Sequence, residues 1–162
     1  RLKLIIETNE GLEATFEIAK CSTRTNAMFF DGVDMSAELR CQKNFESLSY
    51  ARAREVHASE AASLDVLGAP FLDLDEPASV RVSAEKVRDF GFACKGLVRP
   101  KQIAALNEVF TRTEVKITRA RRVIAEFEEV DNRLVVIDGK LIEKPVLREM
   151  YRIVAIADQM QL

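Results

Sequence analysis

Apolar residues recur along the first two thirds of the chain with two alternating spacings, one typical of strands and one typical of helices. Short apolar runs predict strands at 2–6, 27–30, 66–67 and 94–98. The segments between and after them predict helices at 9–20, 36–40, 49–64, 77–90 and 101–110, with a loop at 41–48 and an extended connection at 71–74. Asp31-Gly32 is typical of a turn, and Gly91 is typical of a residue that ends a helix.

Four successive strand–helix repeats predict an α/β fold in which parallel strands are joined by helical crossovers. A complete TIM (β/α)8 barrel needs about 250 residues. The repeats end near residue 111, so on length alone they predict half of such a barrel or a small open sheet.

Residues 112–162 follow a different pattern, which predicts a helix, a hairpin and a second helix. Asp138-Gly139 between two short apolar runs is a strong hairpin signal. The first helix is charged, with Val115 and Phe127 on its predicted inner face, and Asp131-Asn132 is expected to break it. The predicted elements are a helix at 113–130, strands at 134–137 and 141–142, and a helix at 144–160.

Composition places the chain among soluble globular proteins. Of its 162 residues, 48% are hydrophobic and 31% are charged, with a formal net charge of −2. Because Lys and Arg are not in excess, we expect no nucleic-acid partner. No apolar run approaches the roughly 18 residues needed to cross a bilayer, so we expect no membrane segment.

The cysteines and the single histidine argue against several kinds of site. Cys21, Cys41 and Cys94 form no C-x-x-C pair, which disfavours a zinc site or a disulfide framework and indicates a cytoplasmic protein. His57 lies in a predicted helix with no nucleophile signature nearby, which disfavours a Ser–His or Cys–His mechanism.

Two acids follow neighbouring predicted strands. Glu7 comes directly after the first strand, and Asp34 comes shortly after the second. Because the carboxyl ends of parallel strands share one rim, both side chains should lie at the same edge of the sheet. Two carboxylates with open coordination positions suit Mg²⁺, and the alternative is that both acids merely cap helices.

Six short segments carry a resemblance. They read I-E-T-N-E-G at 6–11, F-D-G-V-D-M-S-A-E-L at 30–39, Y-A-R-A-R at 50–54, G-F-A-C-K-G-L-V-R-P-K-Q-I at 91–103, N-E-V-F at 107–110 and D-G-K-L-I-E-K-P at 138–145. In this order they resemble motifs of the citrate lyase β-subunit and malyl-CoA lyase family, in the HpcH/HpaI aldolase/citrate lyase superfamily.

The resemblance implies that residues 1–111 are the C-terminal half of a TIM (β/α)8 barrel. It implies that residues 112–162 are an extension reaching the active site of a neighbouring subunit in a homo-oligomer. It further implies Mg²⁺ on Glu7 and Asp34, and cleavage or formation of a carbon–carbon bond next to a CoA thioester. Glu143 matches the acid to which the family assigns proton transfer. The chain opens on Arg1 rather than on methionine, and we expect the first barrel strands to precede it.

Several residues depart from the family motifs. Glu143 stands in place of Asp, Arg99 in place of His, and Gly68 where many members have Asp. Cys94 and Asp31 each stand in place of Gly. These differences suggest a divergent member, and they support one alternative, a non-catalytic or assembly subunit.

Basic residues complete the predicted site. Arg52 and Lys95 are candidates for binding CoA phosphates or substrate carboxylates. Arg54 lies two residues from Arg52 on one predicted helix, so only one of the two side chains can face a given pocket. A second alternative is a metal-dependent class II aldolase that acts on a 2-keto acid without CoA, although the extension favours the CoA group.

Overall fold

The first compact unit, Arg1–Phe110, is built from strands that alternate with helices. The computed structural model describes residues 1–72, 77–130 and 135–160. The strands are β1 (Leu2–Ile6), β2 (Thr25–Phe30), β3 (Asp65–Gly68) and β4 (Cys94–Lys95). The helices are α1 (Asn9–Glu13), α2 (Thr15–Lys20), α3 (Gly32–Glu38), α4 (Ser49–Ala61), α5 (Pro77–Asp89) and α6 (Ile103–Phe110), the last preceded by a 3-10 turn at Pro100–Gln102.

The four strands form one parallel sheet in sequence order, β1-β2-β3-β4. In-order parallel strands joined by helices are the arrangement of a barrel wall. Alternate residues face opposite sides of the sheet. Ile6, Met28, Phe30 and Val66 face the helices and are buried, whereas Ile5, which pairs with Phe29, is 56% exposed.

The core of this unit lies between the sheet and the helices that cover it. Phe30 and Phe92 meet edge to face at its centre, with ring centroids 6.5 Å apart. The buried core residues are Ile6, Leu12, Ala19, Met28, Phe30, Met35, Leu48, Ala51, Val66, Val87 and Phe92. Gly68 is required in this packing, because a Cβ there would lie 2.8 Å from Val87 Cγ1.

Several predicted boundaries in this unit differ from the structure. The predicted helix at 9–20 is two helices, α1 and α2, separated at Ala14. Helix α3 begins at Gly32 rather than at residue 36, because Asp31 caps it. Strand β4 pairs over two residues rather than five. The end of the predicted connection at 71–74 lies outside the described residues.

The second unit, Thr111–Leu162, contains helix α7 (Glu114–Glu129), strands β5 (Val135–Ile137) and β6 (Lys140–Ile142), and helix α8 (Lys144–Met160). Asp138 and Gly139 have φ values of 51° and 70°, as a tight two-residue hairpin turn requires. The predicted break at Asp131-Asn132 lies outside the described residues.

Helices α7 and α8 pack through one apolar face each. The buried residues are Ile117, Ala120, Val123, Phe127, Ile137, Ile142, Leu147, Ile153 and Ala157. The prediction of Phe127 on the inner face of α7 is confirmed, but the prediction for Val115 is wrong. Val115 is 78% exposed because the buried stripe at helical spacing begins at Ile117.

Candidate active site

Three carboxylates meet at the carboxyl ends of β1 and β2. Glu7 follows Ile6 and Asp31 follows Phe30, and these two strand residues pair in register. The Asp31 backbone N–H donates to the Ile6 carbonyl at 3.1 Å, which holds the two strand ends together. One carboxylate oxygen from each of Glu7, Asp31 and Asp34 lies within 4.8 Å of the other two.

Asp34 joins this cluster because of how α3 begins. Asp31 Oδ1 accepts hydrogen bonds from the backbone N–H of Val33 at 2.7 Å and of Asp34 at 3.4 Å. Helix α3 therefore starts immediately after the strand and places Asp34 in its first turn. Since side chains on a helix tilt toward its N-terminus, Asp34 leans back toward the end of the strand.

Asp31 is the member of this cluster that the sequence analysis missed. It was assigned to a turn and noted only as a departure from the family's glycine. A signal was nevertheless present in the sequence. Asp31 directly follows the last residue of β2, just as Glu7 directly follows the last residue of β1.

The cluster fits a hard divalent cation. It offers only oxygen ligands, which Mg²⁺ and Ca²⁺ prefer. Among the described residues, no Lys or Arg forms an ion pair with any of the three acids. Three carboxylates this close repel one another when all are ionised, and a bound cation relieves that repulsion.

A cavity of about 550 Å³ lies beside this cluster. Gly32 and Val33 line it, and the acids Asp31 and Asp34 flank those two residues in the chain. Its described lining contains four cationic side chains and no acidic one. The cationic residues are Lys43, Arg52, Lys86 and Lys95.

Arg52 is held in this cavity by two aromatic rings. Its guanidinium carbon lies 4.9 Å from the Phe30 ring centroid and 4.8 Å from that of Phe45, both within cation–π range. Nη1 donates to the carbonyls of Phe45 at 3.0 Å and Asn44 at 3.4 Å. Burial lowers the Arg52 pKa, and the charge of Glu46 opposes that shift. The guanidinium is therefore fixed in direction before any ligand arrives.

Lys95 ends β4 and also lines the cavity. Its side chain is buried, and burial together with the nearby charge of Arg52 lowers its pKa to about 8. Arg52 and Lys95, predicted as substrate-binding residues, therefore lie together in one cavity.

Most of the first unit matches one known protein family. The family described as HpcH/HpaI aldolase/citrate lyase matches residues 1–100. The chain belongs to that family. The resemblance drawn from the six sequence motifs is thereby confirmed, and the predicted TIM-barrel fold class is confirmed by the solved structures of the family.

Individual relatives of this HpcH/HpaI family chain support the assignment. The citrate lyase subunit beta of Leuconostoc mesenteroides subsp. cremoris is 27% identical over 158 residues, covering 94% of this chain and 52% of that protein. The L-malyl-CoA/beta-methylmalyl-CoA lyase of Cereibacter sphaeroides is 27% identical over 178 residues, covering 96% and 56%. The chain thus spans about half the length of the curated relatives it matches.

One solved structure extends the likeness to the fold. Protein CitE from Mycobacterium tuberculosis, in complex with magnesium, acetoacetate and coenzyme A, superposes with a TM-score of 0.76. It is 22% identical, and the match covers 95% of this chain and 60% of that chain. At this identity the superposition establishes the shared HpcH/HpaI fold.

Other candidate residues of this HpcH/HpaI family chain lie outside the acid cluster and the cavity. Arg54 donates to the carbonyls of Leu12 at 2.7 Å and Glu13 at 2.6 Å, as expected if only one of the two arginines faces the pocket. His57 is exposed and packs edge to face on Phe16. Glu143 is exposed in the second unit, where its carbonyl accepts from the Leu147 N–H at the start of α8.

Proposed function

We propose that this chain supplies the metal-binding part of a Mg²⁺-dependent carbon–carbon lyase that cleaves or forms 3-hydroxyacyl thioesters such as malyl-CoA or citryl-CoA. The observation that carries the proposal is the three-carboxylate cluster at the carboxyl ends of β1 and β2. Active sites of barrel enzymes are built at this end of the strands.

Glu7 and Asp34 would hold the ion. The bound ion would supply Lewis-acid stabilisation of the negative charge that develops on an enolate oxygen. Asp31 adds a third carboxylate beside them while one of its oxygens stays bound to the backbone of α3. Family relatives whose structures contain magnesium support this choice of metal.

Arg52 and Lys95 would bind the anionic parts of the substrate. The cavity that contains them carries four cationic side chains and shares a wall, Gly32-Val33, with the acid cluster. A carboxylate or phosphate in the cavity would therefore lie beside the metal acids. The complex of CitE with coenzyme A and acetoacetate supports a thioester substrate for this chain.

Glu143 is the proposed proton-transfer residue. It lies between β6 and α8 and is exposed. Within the described part of the chain it forms no ion pair. We propose that residues 112–162 carry it into the active site of a neighbouring subunit, so that the working enzyme is a homo-oligomer. The side chain is one methylene longer than the Asp of the family motif, which places its carboxylate further from the backbone.

We propose a cytoplasmic location for this protein. No helix within the described residues has the length and apolar character needed to cross a membrane. The three cysteines are free, which fits the reducing cytoplasm that we propose for this protein.

Removal of the cluster acids tests the proposal. We expect Asp34→Asn and Glu7→Gln to abolish Mg²⁺ binding measured by titration calorimetry, with little loss of thermal stability because both acids lie at the rim. Glu10→Gln, an exposed acid of α1 outside the cluster, is the matched control. Unchanged Mg²⁺ affinity in both cluster variants would refute the metal assignment.

A turnover assay separates the proposed lyase from its two alternatives. Mg²⁺-dependent cleavage of malyl-CoA or citryl-CoA supports the lyase. Cleavage only of a free 2-keto acid aldol product would indicate a class II aldolase instead. Mg²⁺ binding without turnover of either substrate in the assembled protein would indicate a non-catalytic subunit.

A further inference from the structure

The amine of Lys95 is buried beside a cavity whose described lining contains no acidic side chain. Lys95 is only 8% exposed, yet it lines the cavity of about 550 Å³. Within the described part of the chain, its Nζ forms no ion pair with any carboxylate. A structural lysine at this depth is normally paired, because burying an unpaired ammonium is costly.

Every other described charged side chain that lines the cavity is cationic. Lys43 comes from the loop before α4, Arg52 from α4 and Lys86 from α5, and all three are cationic. Desolvation is the largest cause of the lowered Lys95 pKa of about 8, and the charge of Arg52 is the second. At pH 8 about half of Lys95 is thus a neutral amine, against roughly one in 300 for a lysine at 10.5.

We infer that Lys95 is a nucleophilic amine that forms an imine with small anionic carbonyl compounds, 2-oxo acids in particular, inside this cavity. A desolvated lysine next to a second cation is the arrangement that activates amines for Schiff-base formation. The inference does not rest on the metal or on the proposed lyase activity.

The cavity supplies what the reaction needs. The neutral Nζ attacks the carbonyl carbon, a C–N bond forms as the carbonyl π bond breaks, and a proton passes from the nitrogen to the oxygen to give a carbinolamine. The carbinolamine then loses water to leave the C=N bond, so one carbonyl compound and one amine give one imine and one water. Arg52, fixed by Phe30 and Phe45, is placed to hold the carboxylate of a 2-oxo acid, while Pro70, Phe71 and Val87 provide apolar walls.

Reductive trapping tests this inference. The full chain is incubated with pyruvate and cyanoborohydride, without added divalent cation, and the reduced adducts are located by peptide mass spectrometry. At pH 8 we expect Lys95 to be modified about tenfold faster than exposed lysines outside the cavity such as Lys20, because the lowered pKa of Lys95 raises its neutral fraction and its lower nucleophilicity offsets part of that advantage. Modification of Lys95 should level off above about pH 8, whereas that of exposed lysines should keep rising.

Two variants and one neutral compound sharpen the result. Lys95→Met, which keeps the apolar length of the side chain, should remove the fast adduct, and Lys20→Gln, at an exposed lysine of α2 outside the cavity lining, should retain it. Acetone, which lacks a carboxylate, should react several-fold more slowly than pyruvate at Lys95. Equal modification of Lys95 and Lys20, or an undiminished fast adduct in Lys95→Met, would overturn the inference, whatever the outcome of the metal titrations.

Discussion

Replacing Glu55 with glutamine should remove a pH dependence from the stability of the first unit. Glu55 lies on the inner face of α4 and is completely buried. Neither of its carboxylate oxygens has a hydrogen-bond partner among the described residues, and the hydroxyl of Ser59, one turn further on, is likewise unpaired. Burial raises the Glu55 pKa from 4.5 to about 9, so the folded protein holds this side chain protonated at neutral pH.

The sign of the effect follows from proton binding. Between about pH 4.5 and pH 9 the folded state keeps a proton that the unfolded state releases. The contribution of protonated Glu55 to stability is therefore fully present below the pKa of this group in the unfolded state. It is lost as the pH rises toward the pKa of this group in the folded state. A one-proton difference changes the free energy of unfolding by about 1.4 kcal/mol per pH unit, which is about 3 kcal/mol between pH 5.5 and 7.5.

Urea unfolding at pH 5.5, 6.5 and 7.5 measures this slope. Lys95 acts in the opposite direction, because its lowered pKa makes stability rise with pH between about pH 8 and 10.5. That window lies above the pH range of the urea experiment. Glu55→Gln should show a nearly flat free energy of unfolding over this range. Glu17→Gln, an exposed acid of α2, should keep the slope of the unsubstituted protein. Parallel slopes for Glu55→Gln and the unsubstituted protein would refute the reasoning.

Three further predictions concern local contacts. Gly68→Ala should destabilise the first unit by about 1–3 kcal/mol in urea unfolding because its Cβ would meet Val87 Cγ1. Adding Val87→Ala to the same protein should recover most of that loss, and no recovery would contradict the clash. Gly139→Ala should destabilise the second unit by about 1 kcal/mol and lower its melting temperature, since φ at Gly139 is +70°. An unchanged melting temperature would argue against this turn. Arg54→Met should cost about 1.5–3 kcal/mol through the loss of its charge-assisted hydrogen bonds to Leu12 and Glu13, and a loss below about 0.5 kcal/mol would show that water replaces them.

The order of elements could be predicted from the sequence because each strand and helix carries its own periodicity. The run around Met28 is apolar on both sides of the strand, as expected for a parallel sheet, whereas Leu2–Ile6 alternates between covered and exposed residues. Asp138-Gly139 predicted the hairpin for a local reason, since few other residue pairs adopt two positive φ values easily.

The acid cluster could be predicted only in part, because its third member depends on tertiary geometry. Glu7 and Asp34 were predicted from their positions after strands, but Asp31 joins them through the hydrogen bonds by which it caps α3. The burial of Glu55 could not be predicted, since nothing in the sequence indicates which face of α4 is covered. The cavity joins side chains from α4, α5 and β4, and no local pattern predicts that meeting.

The side of the sheet opposite the helices has a consequence for handling the protein. Ile5, Phe29 and Leu67 pair in register across three neighbouring strands, so they form one continuous apolar row. Ile5 is 56% exposed, and the other two are only partly covered. Whenever that row meets water, it offers a surface on which copies can adhere and to which hydrophobic dyes and chaperones bind. Concentration-dependent light scattering would therefore report the coverage of this surface before any assay of activity could.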